Sequence, residues 1–515
     1  MKKLADILLR SNALFSGMNK LPKPGFVAVA DNLILATGEG DGSGLTGSAT
    51  HVYDLGNKLI CPGFSDVHCF FTGYLLTHSG FDLSPARTVE EVIATAQKKA
   101  AAHSFNGTML ARGVRADIPA PDLSTMDTAF ENTPAILFVE GGESCWMNSA
   151  ARKTYDFTPD TCWSESYWKL LRHLLNDREK SVPAFKRYLS MLNKRGITSI
   201  KEMGFDDFYG FTDVLGQLES NKGLTMRVHF MSQPVGAAMN LEYGRAMRER
   251  FQGDFVRFSG FNQMTDGSIS QLEGDMKKPY LCVDTCCAKK IDWAGLEADT
   301  LAADAAGFRF SLHAQGDNAI CKVLNIYEKC KRSTNGKVLH RHAITDLECS
   351  DPFDLEHMAR LGIIAEIYPQ IMSIANRKDK LAMIEKHIGL DRGRNYWNRR
   401  KMADSGVVLS CATDLPLLID NIPESIYHSV AGLFPEGGEA YNTQNTLTVA
   451  ELMTAWTSGG QYNLGREAEL GALEAGKLAD IAVLDTNLFS IPPEKARSAK
   501  VCLTIVNGQV VWESL

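Results

Sequence analysis

Residues 58–71 read KLICPGFSDVHCFF. An apolar run reaches Pro62-Gly63, resumes, and ends at His68 after Asp66. A short apolar strand that finishes on a polar side chain and leads into a helical pattern is the first half of a βα unit. Seven more runs of this kind follow: GITSIKEM (196–203), LTMRVHFM (224–231), FVRFSGFNQM (255–264), FRFSLHAQ (308–315), VLHRHAIT (338–345), IIAEIYPQ (363–370) and VVLSCATD (407–414). Eight units are what a closed (β/α)8 TIM barrel needs, and such barrels use about 250 residues before insertions.

The surroundings have a different texture. Residues 1–60 alternate apolar segments with Gly/Asp turns, and 466–515 do the same, with Asn507-Gly508 as a hairpin signal between apolar runs. The two ends are therefore expected to form one discontinuous antiparallel β-domain, with the barrel over 61–465. Within it, residues from about 75 to 190 are too long for a loop and carry both helical and strand-like stretches. They read as an inserted α/β subdomain that could roof the mouth.

Composition narrows the classes. A net charge of -7 provides no basic field for phosphate backbones, so no nucleic-acid partner is expected. Asp6 and Arg10 interrupt the apolar stretch near residue 1, which fits neither a signal core nor a membrane span, so a cytoplasmic protein without a membrane partner is expected. The 12 cysteines are scattered and read as reduced, mostly buried thiols. Cys282, Cys286 and Cys287 form one cluster, which lacks the second pair of a structural zinc site and reads as a loop. A small-molecule substrate is the expected partner, and an exposed edge of the β-domain or the insert could support a homodimer.

Barrels of this kind place reactive groups at the C-terminal ends of their strands. The polar residues there are His68, Lys201 with Glu202, Asn262, His313, His342, Gln370 and Asp414. Three histidines and an aspartate converging on one mouth would make a first shell for zinc or a similar divalent ion.

The segments PGFSDVH, SLHAQGD, RHAI, ATDLP and GALEAGKLADIAVLD, with ESCWMNSAA, MTDGSIS and TVAELMTAWTSGGQYNLG in that order between them, resemble the amidohydrolase superfamily. The resemblance is to its YtcJ-like branch, which includes N-substituted formamide deformylases, and covers nearly the whole chain. It implies a TIM barrel with a β-sandwich built from both termini. It also implies hydrolysis of C–N bonds in amides, formamides or cyclic amides by a metal-bound hydroxide. The implied ligands are an H-x-H pair on strand one, a carboxylated lysine on strand four, a histidine on each of strands five and six, and an aspartate on strand eight. By position His68, His313, His342 and Asp414 match.

Two positions depart from that pattern: Phe70 stands where the second histidine belongs, and Asn262 where the lysine belongs. Neither a phenyl ring nor a neutral amide can take the missing role. Glu143 and Lys201 are further departures, at places where the branch carries a histidine or similar group. The expectation is an amidohydrolase-like hydrolase of non-peptide C–N bonds with at most one divalent ion, zinc being the first choice. His68, His313 and His342 would be ligands, Asp414 and Lys201 catalytic, and Glu143 and Asn262 substrate-binding. The alternative is a metal-free derivative of the fold, acting as a binding or regulatory protein or in different acid–base chemistry.

Overall fold

The computed structural model describes residues 3–99, 104–140, 144–159, 169–206, 210–233, 238–417 and 421–515. The stretch that opens the barrel holds two strands of two different sheets. Leu59–Pro62 pairs antiparallel with Ile481–Leu484 in the β-domain, and after Gly63 the chain turns into the first barrel strand, β1 (Phe64–Cys69). Only glycine fits at the corner, because a Cβ on Gly63 would lie 2.3 Å from the Thr198 side chain.

Seven parallel strands follow: β2 (Ile197–Glu202), β3 (Arg227–Ser232), β4 (Val256–Met264), β5 (Phe310–Ala314), β6 (Ala343–Asp346), β7 (Ile364–Ile367) and β8 (Leu409–Cys411). They pair in sequence order, so the chain folds as the (β/α)8 TIM barrel that the eight apolar runs predict. Strands buried on both faces have no solvent side to mark, which is why they read as continuous apolar runs rather than alternating ones. Every residue of β1, β2 and β3 is buried.

The junction of β1 with β8 differs from the other seven. It has a single bridge, Cys69 to Leu415, in place of a ladder. Further hydrogen bonds complete it: the Asp66 side chain accepts from the Thr413 amide at 3.1 Å and from its hydroxyl at 2.6 Å, and the backbone amide of Asp414 donates to the His68 carbonyl at 2.9 Å. Helix α1 (Val449–Trp456) and helix α2 (Ser458–Leu464) close the chain back onto the barrel. In α2, a Cβ on Gly460 would stand 2.6 Å from that of Ser65, so glycine lets the helix press against β1. Gln461 beside it donates to the hydroxyls of Ser65 and Ser199, at 2.9 Å each.

Both ends of the chain share one eight-stranded sheet. Its order is Gln509–Glu513, Val501–Val506, Ile481–Leu484, Leu59–Pro62, Ile7–Leu14, Lys23–Ala30 and Leu33–Gly38, with His51–Asp54 also on Ile7–Leu14. The sheet is mixed rather than purely antiparallel, since Ile7–Leu14 runs parallel to both His51–Asp54 and Leu59–Pro62. Asn507 and Gly508, both left-handed (φ 52° and 77°), turn the last hairpin as that pair predicts.

By contacts the chain forms two compact units: Met1–Cys69 with Leu189–Met203 and Glu219–Leu515, and Phe70–Tyr188 with Gly204–Leu218. The second has its own five-stranded sheet, including Thr108–Val114 and Ala135–Val139, and a cluster of Phe71, Phe185, Tyr188, Phe205 and Phe211. All cysteines among the described residues are free thiols. No helix among the described residues is long and apolar enough to cross a membrane.

Candidate active site

Two histidines stand at the ends of β1 and β5, and each lies between two carboxylates. His68 has its Nε2 3.7 Å from Asp414 and its Nδ1 3.6 Å from Glu366 of β7, with its ring edge-on to Tyr368. His313 has its Nε2 3.2 Å from Asp346 at the end of β6 and its Nδ1 3.6 Å from Asp266. Gln315 also donates to Asp346, at 2.6 Å. Asp266 serves the backbone, accepting from the amides of Gln315, Gly316 and Asp275.

The electrostatics follow from burial among these charges. Burial works against a charged His313, but Asp346 and then Asp266 outweigh it and raise its pKa. Asp414 is raised above the usual carboxylate range by burial, with Asp346 adding to this and His68 and His313 opposing it. About a quarter of the Asp414 side chain still meets solvent.

Beneath His68 lies a buried polar chain that reaches across the barrel. Glu366 is ion-paired with Lys201 of β2 and, at 3.3 Å, with Arg309; Asn463 of α2 donates to Glu366 at 3.0 Å and accepts from Lys201 at 3.1 Å. Burial pulls Lys201 down to about 7, Arg309 adding and Glu366 opposing. Glu366 is held well below the carboxylate range: burial opposes this, and Lys201 and then His68 and Arg309 overcome it.

Several expectations change here. Lys201 does not stand at the mouth as a catalytic group; it is fully buried inside the barrel and committed to Glu366. His342 is not a ligand on strand six. It precedes β6, at the opposite end of the strand, where its Nδ1 accepts from the Phe310 amide at 3.0 Å and its Nε2 lies 3.1 Å from Asp304. An accepting Nδ1 puts the ring proton on Nε2, which donates it to Asp304. Cys330 completes a trio with these two whose candidate ligand atoms all lie within 4.8 Å of one another. Both nitrogens of His342 already serve the fold, and the Cys330 thiol lies 3.9 Å from the Ile326 carbonyl rather than bonding to either of the other two.

The true residue at the end of strand six is Asp346, which the sequence reading passed over, as it did Glu366, Arg309 and Asp266. A lone acid within the apolar run IIAEIY was the available signal for Glu366. Asn262 is buried and donates to Gln233 at 3.0 Å, while its carbonyl oxygen has no hydrogen-bond partner among the described residues. Phe70 precedes the helix Phe71–His78 and offers no donor atom. Glu143 lies outside the described residues. Cys287 donates to the carbonyls of Glu273 and Lys289, as a loop thiol does.

These residues do not fit a two-ion centre, since Phe70 cannot ligate and Asn262 cannot carry a carboxylate bridge. For a single divalent ion the donor types are suitable: two imidazoles and two carboxylates, from His68, Asp414, His313 and Asp346. The spacing within each couple is close to that of neighbouring ligands sharing an ion at about 2.0–2.1 Å. The two couples do not form a ready cage, because the only trio of potential ligands within 4.8 Å among the described residues is the one around His342.

Residues 51–512 match the family described as the amidohydrolase family. The chain belongs to the amidohydrolase family. Its similarity falls in the YtcJ-like branch: YtcJ of Bacillus subtilis (strain 168) is 24% identical over 270 residues, 52% of this chain and 49% of that one. The protein LONG AFTER FAR-RED 3 of Arabidopsis thaliana is 22% identical over 544 residues, 99% of this chain and 92% of that one. Among solved structures, an uncharacterised metal-dependent hydrolase from Pyrococcus horikoshii superposes with a TM-score of 0.77 at 19% identity, covering 95% of this chain and 99% of that one. At that identity the likeness bears on the fold of this amidohydrolase-family member.

Proposed function

We propose that this amidohydrolase-family protein is a hydrolase of a non-peptide carbon–nitrogen bond in an amide, N-acyl compound or cyclic amide. The observation that carries the reading is the His68–Asp414 couple, set at 3.7 Å across the ends of the first and last strands. Asp414, raised by burial and still reached by solvent, suits a group that takes a proton from water and returns it to the leaving nitrogen. His313 and Asp346 form the facing couple, and the unpartnered carbonyl of Asn262 is a site for a substrate N–H. A divalent ion held by His68, Asp414, His313 and Asp346, when bound, supplies Lewis acidity toward the scissile carbonyl.

A second reading rests on the separation of the donors into two couples: acid–base chemistry by His68, Asp414, His313 and Asp346 with no ion. The test is hydrolysis of a panel of N-formyl amines, N-acyl amines and cyclic amides, with metal content measured on protein purified without chelator. Wild type is expected to turn over at least one class, with about one equivalent of metal lost in His313→Ala, and Asp414→Asn is expected to lose about 100-fold or more in rate. Turnover without metal selects the second reading. No turnover with zinc or manganese added overturns the hydrolase proposal.

A further inference from the structure

Lys201 carries a charge into the barrel core. A buried charge left alone is strongly destabilising, and a buried pair persists only when further hydrogen bonds complete it. Here the completion is extensive. Lys201 reaches across the barrel from β2 to Glu366 on β7, Arg309 approaches the same carboxylate oxygen at 3.3 Å, and Asn463 bonds to both partners. Lys201 and Glu366 are both fully buried. The group ends at the candidate active site: the other carboxylate oxygen of Glu366 is the one 3.6 Å from Nδ1 of His68.

We infer that Glu366 is a positioning residue for His68: anchored by Lys201, Arg309 and Asn463, it holds Nδ1 toward the barrel core and so turns Nε2 toward Asp414. Which nitrogen of a histidine faces the chemistry is set by the partner of the other one, and partners of this kind orient ligand and base histidines alike. The Lys201 charge is thus matched by groups on β7, before β5 and on α2. The inference rests on the hydrolase reading for its meaning but not for its test.

The test uses protein labelled with 15N-histidine, in which the ring-nitrogen resonances of His68 are identified by their loss in His68→Gln. In wild type the Nδ1–H form of His68 is expected to dominate. In Glu366→Gln its share falls several-fold, and in Lys201→Met, where the carboxylate loses one anchor, it falls in the same direction by less. Unchanged His68 resonances in a folded Glu366→Gln protein overturn the inference and leave the ion pair as core packing. If Glu366→Gln does not fold, the double variant Lys201→Met with Glu366→Leu, which leaves neither of that pair's charges, is read in its place with the same two outcomes. Because the resonances are read without substrate, a shift accompanied by no turnover of the panel upholds the positioning role and overturns only the hydrolase reading. Turnover with unshifted resonances does the reverse.

Discussion

Asp346 and Asp414 both hold left-handed backbone, with φ of 80° and 51°. For a non-glycine residue that conformation costs on the order of 1–3 kcal/mol and persists where surrounding contacts impose it. The Asp414 conformation is imposed by the hydrogen bond its backbone N–H donates to the His68 carbonyl, and Asp346 carries its carboxylate to His313 and Gln315. His342 is a contrasting case, a histidine whose two nitrogens both serve the fold. His342→Ala is expected to cost about 1–3 kcal/mol, because it strands the Phe310 amide and the Asp304 carboxylate. Urea denaturation measures that cost, and metal content and turnover per folded molecule should stay at wild-type values. Loss of bound metal in this variant would restore His342 to the ligand set. At this scale His68, His313 and Asp414 were legible because each closes an apolar run. Asp346 was not, since an aspartate before Leu347 resembles any turn residue.

The run VLHRHAIT shows where element boundaries mislead. Its apolar start at Val338 suggests a strand already under way, but Val338 makes only an isolated bridge to Arg332, and β6 begins at Ala343. The strand end moves by four residues, from His342 to Asp346. The register with β5 fixes this, since His313 pairs with Thr345, next to Asp346. Pairing between strands is a tertiary fact that no single run contains. Capping is the opposite case. Thr448 and Glu451 form a reciprocal capping box at the start of α1, legible as T-V-A-E before an apolar helix. Glu451 also receives two bonds from Arg400, at 2.7 and 2.6 Å. Those bonds, against burial and with help from Thr448, lower its pKa from 4.5 to about 2. A carboxylate lowered on folding stabilises above its unfolded value and loses that contribution as pH falls through the folded one. Glu451→Ala should therefore cost about 1–2 kcal/mol at pH 7. The gap in urea midpoint from wild type should narrow as pH drops from 4.5 toward 2. A gap independent of pH would contradict the role assigned to the ion pair.

Across the whole molecule, the β-domain is tied to the barrel by a buried ion pair. Arg227 at the start of β3 donates twice to Asp480, at 2.9 Å each, and Asp480 also accepts from the Asn507 amide of the last hairpin. Asp480→Ala leaves Arg227 charged and buried, and is expected to cost about 3–5 kcal/mol in thermal or chemical unfolding. Arg227→Met combined with Asp480→Leu should recover most of that loss, and a double variant as unstable as the single one would show that packing is what matters there. The eight βα units and the joining of both chain ends could be read from texture alone, because burial on two faces leaves a strong pattern. The core of the barrel could not, because Lys201, Glu366 and Arg309 are far apart in sequence and become partners only when β2, β5 and β7 face one another.

The β1–β8 junction carries a consequence for how the protein fails when heated. Seven junctions of the barrel are ladders that unzip only with the sheet, whereas the eighth is clasped by Asp66, Thr413 and one bridge, and it is also the junction that His68 and Asp414 span. Local opening of the ring is expected to begin at this seam and to separate the two halves of the couple before the helices unfold. Function should therefore have a lower thermal ceiling than the fold: inactivation on warming comes first, reversibly, with the circular-dichroism melt some degrees above it.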